Sequence, residues 1–313
     1  MRYVAIVMLG IAAAAAGWQV LLGPHGLLAN DASRVVTTFG TAGMGRGEFA
    51  YPRGLAVSPI DGRVFVVDKA ARIQRFDSDG RYETEWRMPE WDNGKPTGLG
   101  VDRDNRVWVA DTHYSRVIVF DRDGRELKRF GEPGEGDGQF LWPTTVAFDP
   151  DGNVFVGEYG GNDRINKFSP WPECRFIISF ARGAVEEGGV SRPQGLAFDA
   201  DGVLWVTDAS NHRVSRYDRD GNYLGSFGVI GGGAGEFRYP YDVAVRSDQT
   251  LVISDYGNNR VVRVGRDGRT LGAWGREGRD VGCVLHAWSL DVGPNGRMYV
   301  LDSWNNRVQV VAW

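Results

Sequence analysis

Histidine and cysteine are scarce: the 313 residues include four of the first and two of the second, which excludes a disulfide framework and leaves few ligands for a metal centre. No Ser-His-Asp arrangement and no paired carboxylates are singled out by position, so catalysis is not assigned and no cofactor or metal is implied. Positive charge is also short. Residues 31–313 carry 35 basic against 40 acidic side chains, interleaved along the chain, and no basic stripe of the kind nucleic-acid binding needs stands out. The first 30 residues hold one charged side chain, Arg2.

What the chain has in excess is glycine, 44 residues and about twice the usual share, together with a repeat. Six times an acidic residue ends a short apolar run, and an Arg followed by a branched aliphatic residue comes four to six positions later: Asp68 to Arg72-Ile73, Asp111 to Arg116-Val117, Glu158 to Arg164-Ile165, Asp208 to Arg213-Val214, Asp255 to Arg260-Val261 and Asp302 to Arg307-Val308. The acids are spaced by 43, 47, 50, 47 and 47 residues, a period that belongs to solenoids, propellers or arrays. Around each acid the same four segments recur. In the copy from Arg192 to Gly228, strands opening at Pro193, Val203, Arg213 and Asn222 are separated by Asp-Gly turns and one polar loop, Ala209 to His212. Four antiparallel strands per repeat make a propeller blade, and six repeats predict an all-β, six-bladed β-propeller over residues 33–313.

The sixth copy stops after three strands, at Val308 to Trp313. An unpaired edge there would invite aggregation. The segment Ser33 to Gly40 reads like the fourth strands elsewhere, such as Tyr223 to Gly228, so it is expected to complete the last blade and tie the two ends together. Ahead of it, residues 1–30 are a separate object. Tyr3 to Leu22 is uncharged over 20 residues, enough for an N-terminal hydrophobic helix of about 30 Å, and Arg2 favours a cytoplasmic N-terminus with the propeller exported. Two readings stay open: a signal anchor holding the propeller on the inner membrane, or a signal peptide cleaved near Ala12 to Ala16 or after Leu28-Ala29-Asn30. Either places the propeller outside the cytoplasm, periplasmic or secreted. No Cys comes after the apolar run, so lipoprotein anchoring has no support. Cys174 falls between the third and fourth strands of blade three and Cys283 just before the first strand of blade six, on opposite faces and opposite sides of a ring. That separation is far beyond the ~7 Å reach of a disulfide, so both should be free and buried.

These residues resemble the NHL-repeat six-bladed propellers. Pro-x-Gly motifs open most blades (Pro52, Pro96, Pro193, with Pro143 and Pro240 in variant form), and Asp-x-x-Asn-x-Arg recurs at Asp208, Asp255 and Asp302. Blade six has Ala287-Trp288-Ser289 where Pro-x-Gly is expected, and blade one lacks one loop residue. The resemblance speaks for the fold and only weakly for an activity. Amidating-lyase relatives imply a zinc held by three His, each directly after a blade-opening Pro; here those positions hold none, and His25, His113, His212 and His286 lie elsewhere. Lactonase-type relatives imply calcium held by acids in the channel, for which Glu158 and Asp242 are the unusual residues. RNA binding, as in some NHL proteins, conflicts with the leader and the acidic balance.

The repeated Asp, Asn and Arg are read as structural, because a protein seldom needs six active sites and short polar side chains satisfy backbone groups in tight loops. The Asp-x-Asp-Gly turns lack the later bidentate acid of a calcium loop. The glycine-rich stretches Gly40 to Gly47, Gly131 to Gly138 and Gly228 to Gly235 run into the next blade and not into a helix, so they are connectors and not phosphate cradles. Function should lie where the copies differ, on the face shared by the connectors and the loops between second and third strands. The residue after each blade-opening Pro should reach the channel mouth there: Arg53, Thr97, Thr144, Gln194, Tyr241 and, by register, Trp288. Around them stand His113, Tyr114, Tyr159, His212, Tyr256 and Trp304, with connector aromatics Tyr51, Trp142 and Tyr239. Aromatics with Arg on one rim fit a protein-binding surface or a small-ligand mouth. The leading expectation is therefore an exported binding or scaffold module, with a protein or small ligand on its loop-rich face and the membrane as a further partner if the leader is retained. The alternative is a metal-dependent lyase or lactonase with a degenerate site.

Overall fold

The structure, a computed structural model, describes residues 34–313. The hydrophobic helix expected over residues 1–30 lies outside the described residues. The described residues form six four-stranded antiparallel sheets, with one two-stranded parallel pair, Val229–Ile230 and Glu236–Phe237, in a connector. Blade one runs Pro52–Val57, Val64–Asp68, Arg72–Phe76 and Tyr82–Arg87, and blade four runs Pro193–Phe198, Leu204–Asp208, Arg213–Tyr217 and Tyr223–Phe227. The first strands of successive blades touch in a closed ring, so they form the channel wall, while fourth strands lie outermost with alternating exposure. Apart from strands, the described residues hold only single 3-10 turns, and none of their helices is long and apolar enough to cross a membrane.

Ring closure agrees with the sequence reading. Val35–Phe39 pairs antiparallel with Arg307–Val311, placing Val35 opposite Val311 and Phe39 opposite Val308. Phe39 then reaches past its own sheet to pack on Phe76 of blade one, with ring centroids 4.8 Å apart. The core is six separate apolar clusters, each filling the wedge between neighbouring blades and not a single centre. Trp108 and Trp205 are fully buried with their indole N–H donated to Asp102 and Asp199, the first acids of the turns Asp102-Arg-Asp-Asn105 and Asp199-Ala-Asp-Gly202. Those same acids accept two backbone N–H groups each, which is what closes the hairpins.

The six repeat acids are all buried and each is paired with its Arg. In five blades the acid also accepts a backbone N–H from the residue that brings the chain into that blade, for example Arg238 N to Asp255 at 2.7 Å and Leu285 N to Asp302 at 2.8 Å. The guanidinium turns the other way, into carbonyls of the glycine-rich connector: Arg260 donates to Gly232, Gly233 and Glu236, and Arg72 to Met44, Gly45 and Glu48. Each acid-Arg pair is thus a clamp on the connector, and the glycines leave the carbonyls room to converge on it. Blade two is the exception. Its connector supplies no N–H, one oxygen of Asp111 has no partner, and burial pushes the Asp111 carboxyl up to about 6 against the pull of Arg116.

Blades are joined on the inside by side chains of first and second strands that reach the first strand of the next blade. Thr144 donates to Pro193 O at 2.6 Å, Thr207 to Tyr241 O at 3.1 Å, and Ser254 to Ala287 O. Close approach there explains Gly98, where a Cβ would sit 1.9 Å from Thr144 O. Cys174 and Cys283 are both free and buried, as expected.

Candidate ligand site at the channel mouth

Two backbone irregularities build the mouth. Proline cannot donate to the ladder, and directly after it the register slips: between Pro52 and Gly54, Pro143 and Thr145, and Pro240 and Asp242, with the same slip in blade six between Ala287 and Ser289. Arg53, Thr144, Tyr241 and Trp288 are the unpaired bulge residues, and Gln194 lies in the longer slip between Pro193 and Leu196. A bulge re-aims its side chain out of the pleat. The second irregularity precedes the bulge. Tyr51, Arg192, Tyr239 and His286 adopt left-handed backbone, with φ of 59, 60, 50 and 53°, a conformation that costs a non-glycine residue on the order of 1 kcal/mol or more. All four are held there by the preceding blade's loop: Tyr51 N donates to Asn306, Tyr239 N to His212 Nδ1, His286 N to Asn259 and Arg192 N to Asp163.

The result is an aromatic belt across blades five, six and one. Tyr241 stacks on Tyr256, with centroids 4.1 Å apart and planes 17° from parallel. Trp288 stands edge-on to both. His286 stacks on Tyr256 at 4.5 Å and meets Trp304 at 4.4 Å, and Trp304 continues to Tyr51 at 6.1 Å. Two guanidinium groups lie on this belt. Arg53 covers Trp288 at 5.0 Å, and Arg192 covers Tyr241 at 5.2 Å and Tyr159 at 5.4 Å. Burial lowers the pKa of Arg53 without bringing it near neutrality for a guanidinium, and burial raises Tyr256 to about 12, so the tyrosines are neutral donors. The mouth opens into a cavity of about 300 Å³ that runs down the channel.

The twelve predicted rim residues therefore separate. Arg53, Tyr159, Tyr241, Tyr256, Trp288 and Trp304 come together, and Gln194 lines the same cavity. Thr97 and Thr144 also line that cavity but spend their hydroxyls elsewhere, and His113, Tyr114 and His212 lie outside it. Thr144 does not present its hydroxyl to the mouth: it is buried and donates sideways to the backbone of blade four, because the gap between first strands must be bridged there. Thr97 shares a hydrogen bond of 2.7 Å with Thr112. His212 accepts Tyr239 N and packs on that ring at 4.5 Å, a positioning role. Tyr114 accepts the Asn93 N–H and lies under Arg116. His113 is exposed and lies against Trp142. The two acids considered for a channel site also part: Glu158 is the buried repeat partner of Arg164, whereas Asp242 faces the channel.

Sequence reading missed three residues here. Arg192 and His286 precede the bulge position, and their aim depends on the left-handed backbone, which no residue type announces. Asp291 lies deeper in the channel; it accepts Val57 N at 2.8 Å from blade one, as Asp242 accepts Leu290 N at 3.0 Å and the Ser289 hydroxyl at 2.6 Å. Burial raises Asp242 to about 7 and Asp291 to about 6. Both line the cavity and come after the bulge residues Tyr241 and Trp288 on their first strands. Among the described residues, no group of three or more His, Cys, Asp and Glu could hold a metal ion.

Four-stranded blades in a closed ring of six define a six-bladed β-propeller. The NHL repeat matches at residues 93–120, 191–217 and 285–311, in blades two, four and six. The chain belongs to the NHL-repeat propellers. It is 28% identical over 193 residues to the NHL repeat-containing protein 3 of Mus musculus, covering 55% of this chain and 54% of that protein. It is 32% identical over 136 residues to the peptidylglycine alpha-amidating monooxygenase of Rattus norvegicus, covering 40% of this chain and 14% of that protein. The chain spans about half or less of the length of the curated relatives it matches. Among solved structures, a streptogramin B lyase superposes with a TM-score of 0.62 at 15% identity, covering 88% of this chain and 97% of that one, a likeness of fold alone.

Proposed function

We propose that this protein is an exported binding module whose ligand or partner docks at the channel mouth formed by blades four, five, six and one. The observation that carries this reading is the contiguous belt of Tyr241, Tyr256, Trp288, His286 and Trp304 with two guanidinium groups laid on it. Aromatic and Arg side chains concentrate at binding hot spots, and here four left-handed residues are held in strained backbone to present them. The positions that would carry zinc in amidating lyases hold Arg53, Thr97, Thr144, Gln194, Tyr241 and Trp288, so the donor chemistry of the mouth favours binding over that reaction.

The test is recovery of a partner from a membrane or periplasmic extract by the full chain. Tyr241→Ala and Trp304→Ala should each abolish a recovery that the wild type gives, while Leu127→Ala, on the exposed outer strand Glu126–Phe130, should retain it. Equal recovery by all variants would refute the reading. Export is tested separately by N-terminal sequencing and by protease access in intact cells.

A further inference from the structure

The mouth has a charge pattern that narrows what it binds. The six repeat arginines each have a carboxylate partner. Arg53 and Arg192 have none among the described residues, and in each the buried Nε makes no hydrogen bond. Asp163 accepts the Arg192 backbone N–H at 2.9 Å, and no ion pair joins it to the guanidinium. The two arginines lie on neighbouring rings: Arg192 covers Tyr159 and Tyr241, and Arg53 covers Trp288, which stands edge-on to Tyr241 at 5.2 Å. Leaving a buried guanidinium donor unmade is costly, and a planar fork of donors fixed on a ring matches a carboxylate better than any neutral group.

We infer that the mouth is a carboxylate-recognition site, in which Arg53 and Arg192 take the anion and Tyr241, Tyr256 and Trp288 take a flat apolar group attached to it. This rests on the reading of the mouth as a binding site and assigns the chemistry of its ligand. The channel below sets the depth. Among the described residues, Arg53 is the one basic side chain that lines the cavity, and the cavity's acids Asp242 and Asp291 already spend their oxygens on Leu290, Ser289 and Val57. The anion therefore stops at the guanidinium belt. A cavity of about 300 Å³ admits a compact group and not a large one. Two sources share this chemistry, a free aromatic acid and the C-terminal carboxylate of a peptide ending in an aromatic residue.

Titration calorimetry on the full chain distinguishes them with four compounds: indole-3-acetate, indole-3-acetamide, acetyl-Ala-Ala-Phe as the free acid, and the same peptide as its C-terminal amide. The acids should compete for one site, with each amide at least tenfold weaker than its acid. Tighter binding of the peptide acid assigns the peptide source, and tighter binding of indole-3-acetate the free acid. Arg53→Gln and Arg192→Gln should each weaken the acids at least tenfold and leave the amides unchanged, while Arg53→Lys recovers part of the loss; thermal melts confirm that the variants fold. Acid and amide binding alike would overturn the inference and keep the mouth as a binding site. No binding of either acid, with partner recovery still lost in Tyr241→Ala, would overturn it too. No binding together with undiminished recovery in Tyr241→Ala would remove both readings.

Discussion

Phe39 is the residue on which ring closure can be measured. It lies on the strand Val35–Phe39, opposite Val308 in the ladder, and its ring packs on Phe76 of blade one at 4.8 Å and fills the space above Gly80, where a Cβ would come within 2.3 Å of it. Truncating a fully buried Phe to Ala costs about 3–5 kcal/mol. Phe39 is only partly buried, so the transfer and cavity loss should be nearer ~2 kcal/mol, with ~1 kcal/mol more from the lost ring pair. A total of about 3 kcal/mol corresponds to a fall in Tm of roughly 6–12 °C for a domain of this size. Val36 supplies the control, because it lies on the other face of the strand and is 47% exposed. Val36→Ala should change stability by less than about 0.5 kcal/mol. The assay is urea unfolding of both variants monitored by tryptophan fluorescence, with Tm from calorimetry. Equal losses in the two variants would mean that the strand does not face the core as the register requires. No loss in Phe39→Ala would mean that the ring closes without it.

The buried charges supply further outcomes. Asp242 has a folded-state pKa of about 7 against about 3.8 unfolded, so the folded protein holds its proton more tightly. Stability should therefore fall by about 2–4 kcal/mol as pH rises from 4 to 7, and Asp242→Asn should flatten that slope in urea midpoints taken at pH 5 and pH 8; an unchanged slope would contradict it. Asp255→Ala removes the acid of a complete clamp and strands Arg260, and should cost about 3–5 kcal/mol. Asp111→Asn, whose carboxyl is raised to about 6 and has one unpartnered oxygen, should cost much less than Asp255→Asn at pH 7, by denaturant melts of both. Gly98→Ala forces a Cβ to 1.9 Å from Thr144 O, and should abolish soluble folded protein as judged by gel filtration and circular dichroism.

The blades were legible because each one repeats the same solution to the same problem. An acid at the end of the second strand and an Arg at the start of the third must sit where the connector can be clamped, so spacing alone gave blade count and register, and the resemblance of Arg34 to Gly40 to other fourth strands gave closure. The site was legible only by halves. Position after the blade-opening Pro marked Arg53 and Tyr241 because a bulge follows that position, and register carried the rule to Trp288 after Ala287, but the same rule marked Thr144, whose hydroxyl is drawn sideways into the gap between blades. Arg192 and His286 escaped because their aim depends on left-handed backbone imposed by hydrogen bonds from other segments, Asp163 for one and the neighbouring loop's Asn259 for the other. Asp291 escaped because it is defined by a contact with Val57, 234 residues away along the chain.

The central claim is that ligand recognition belongs to Arg53 and Arg192 at the mouth and not to the repeated arginines. It is tested most directly by monitoring arginine Nε–H resonances during titration with acetyl-Ala-Ala-Phe as the free acid, assigned through Arg53→Lys and Arg192→Lys. Saturable shifts at Arg53 and Arg192, with Arg260 and Arg307 unmoved, are the predicted result. Unmoved mouth arginines, or equal shifts at the repeat arginines, would contradict it.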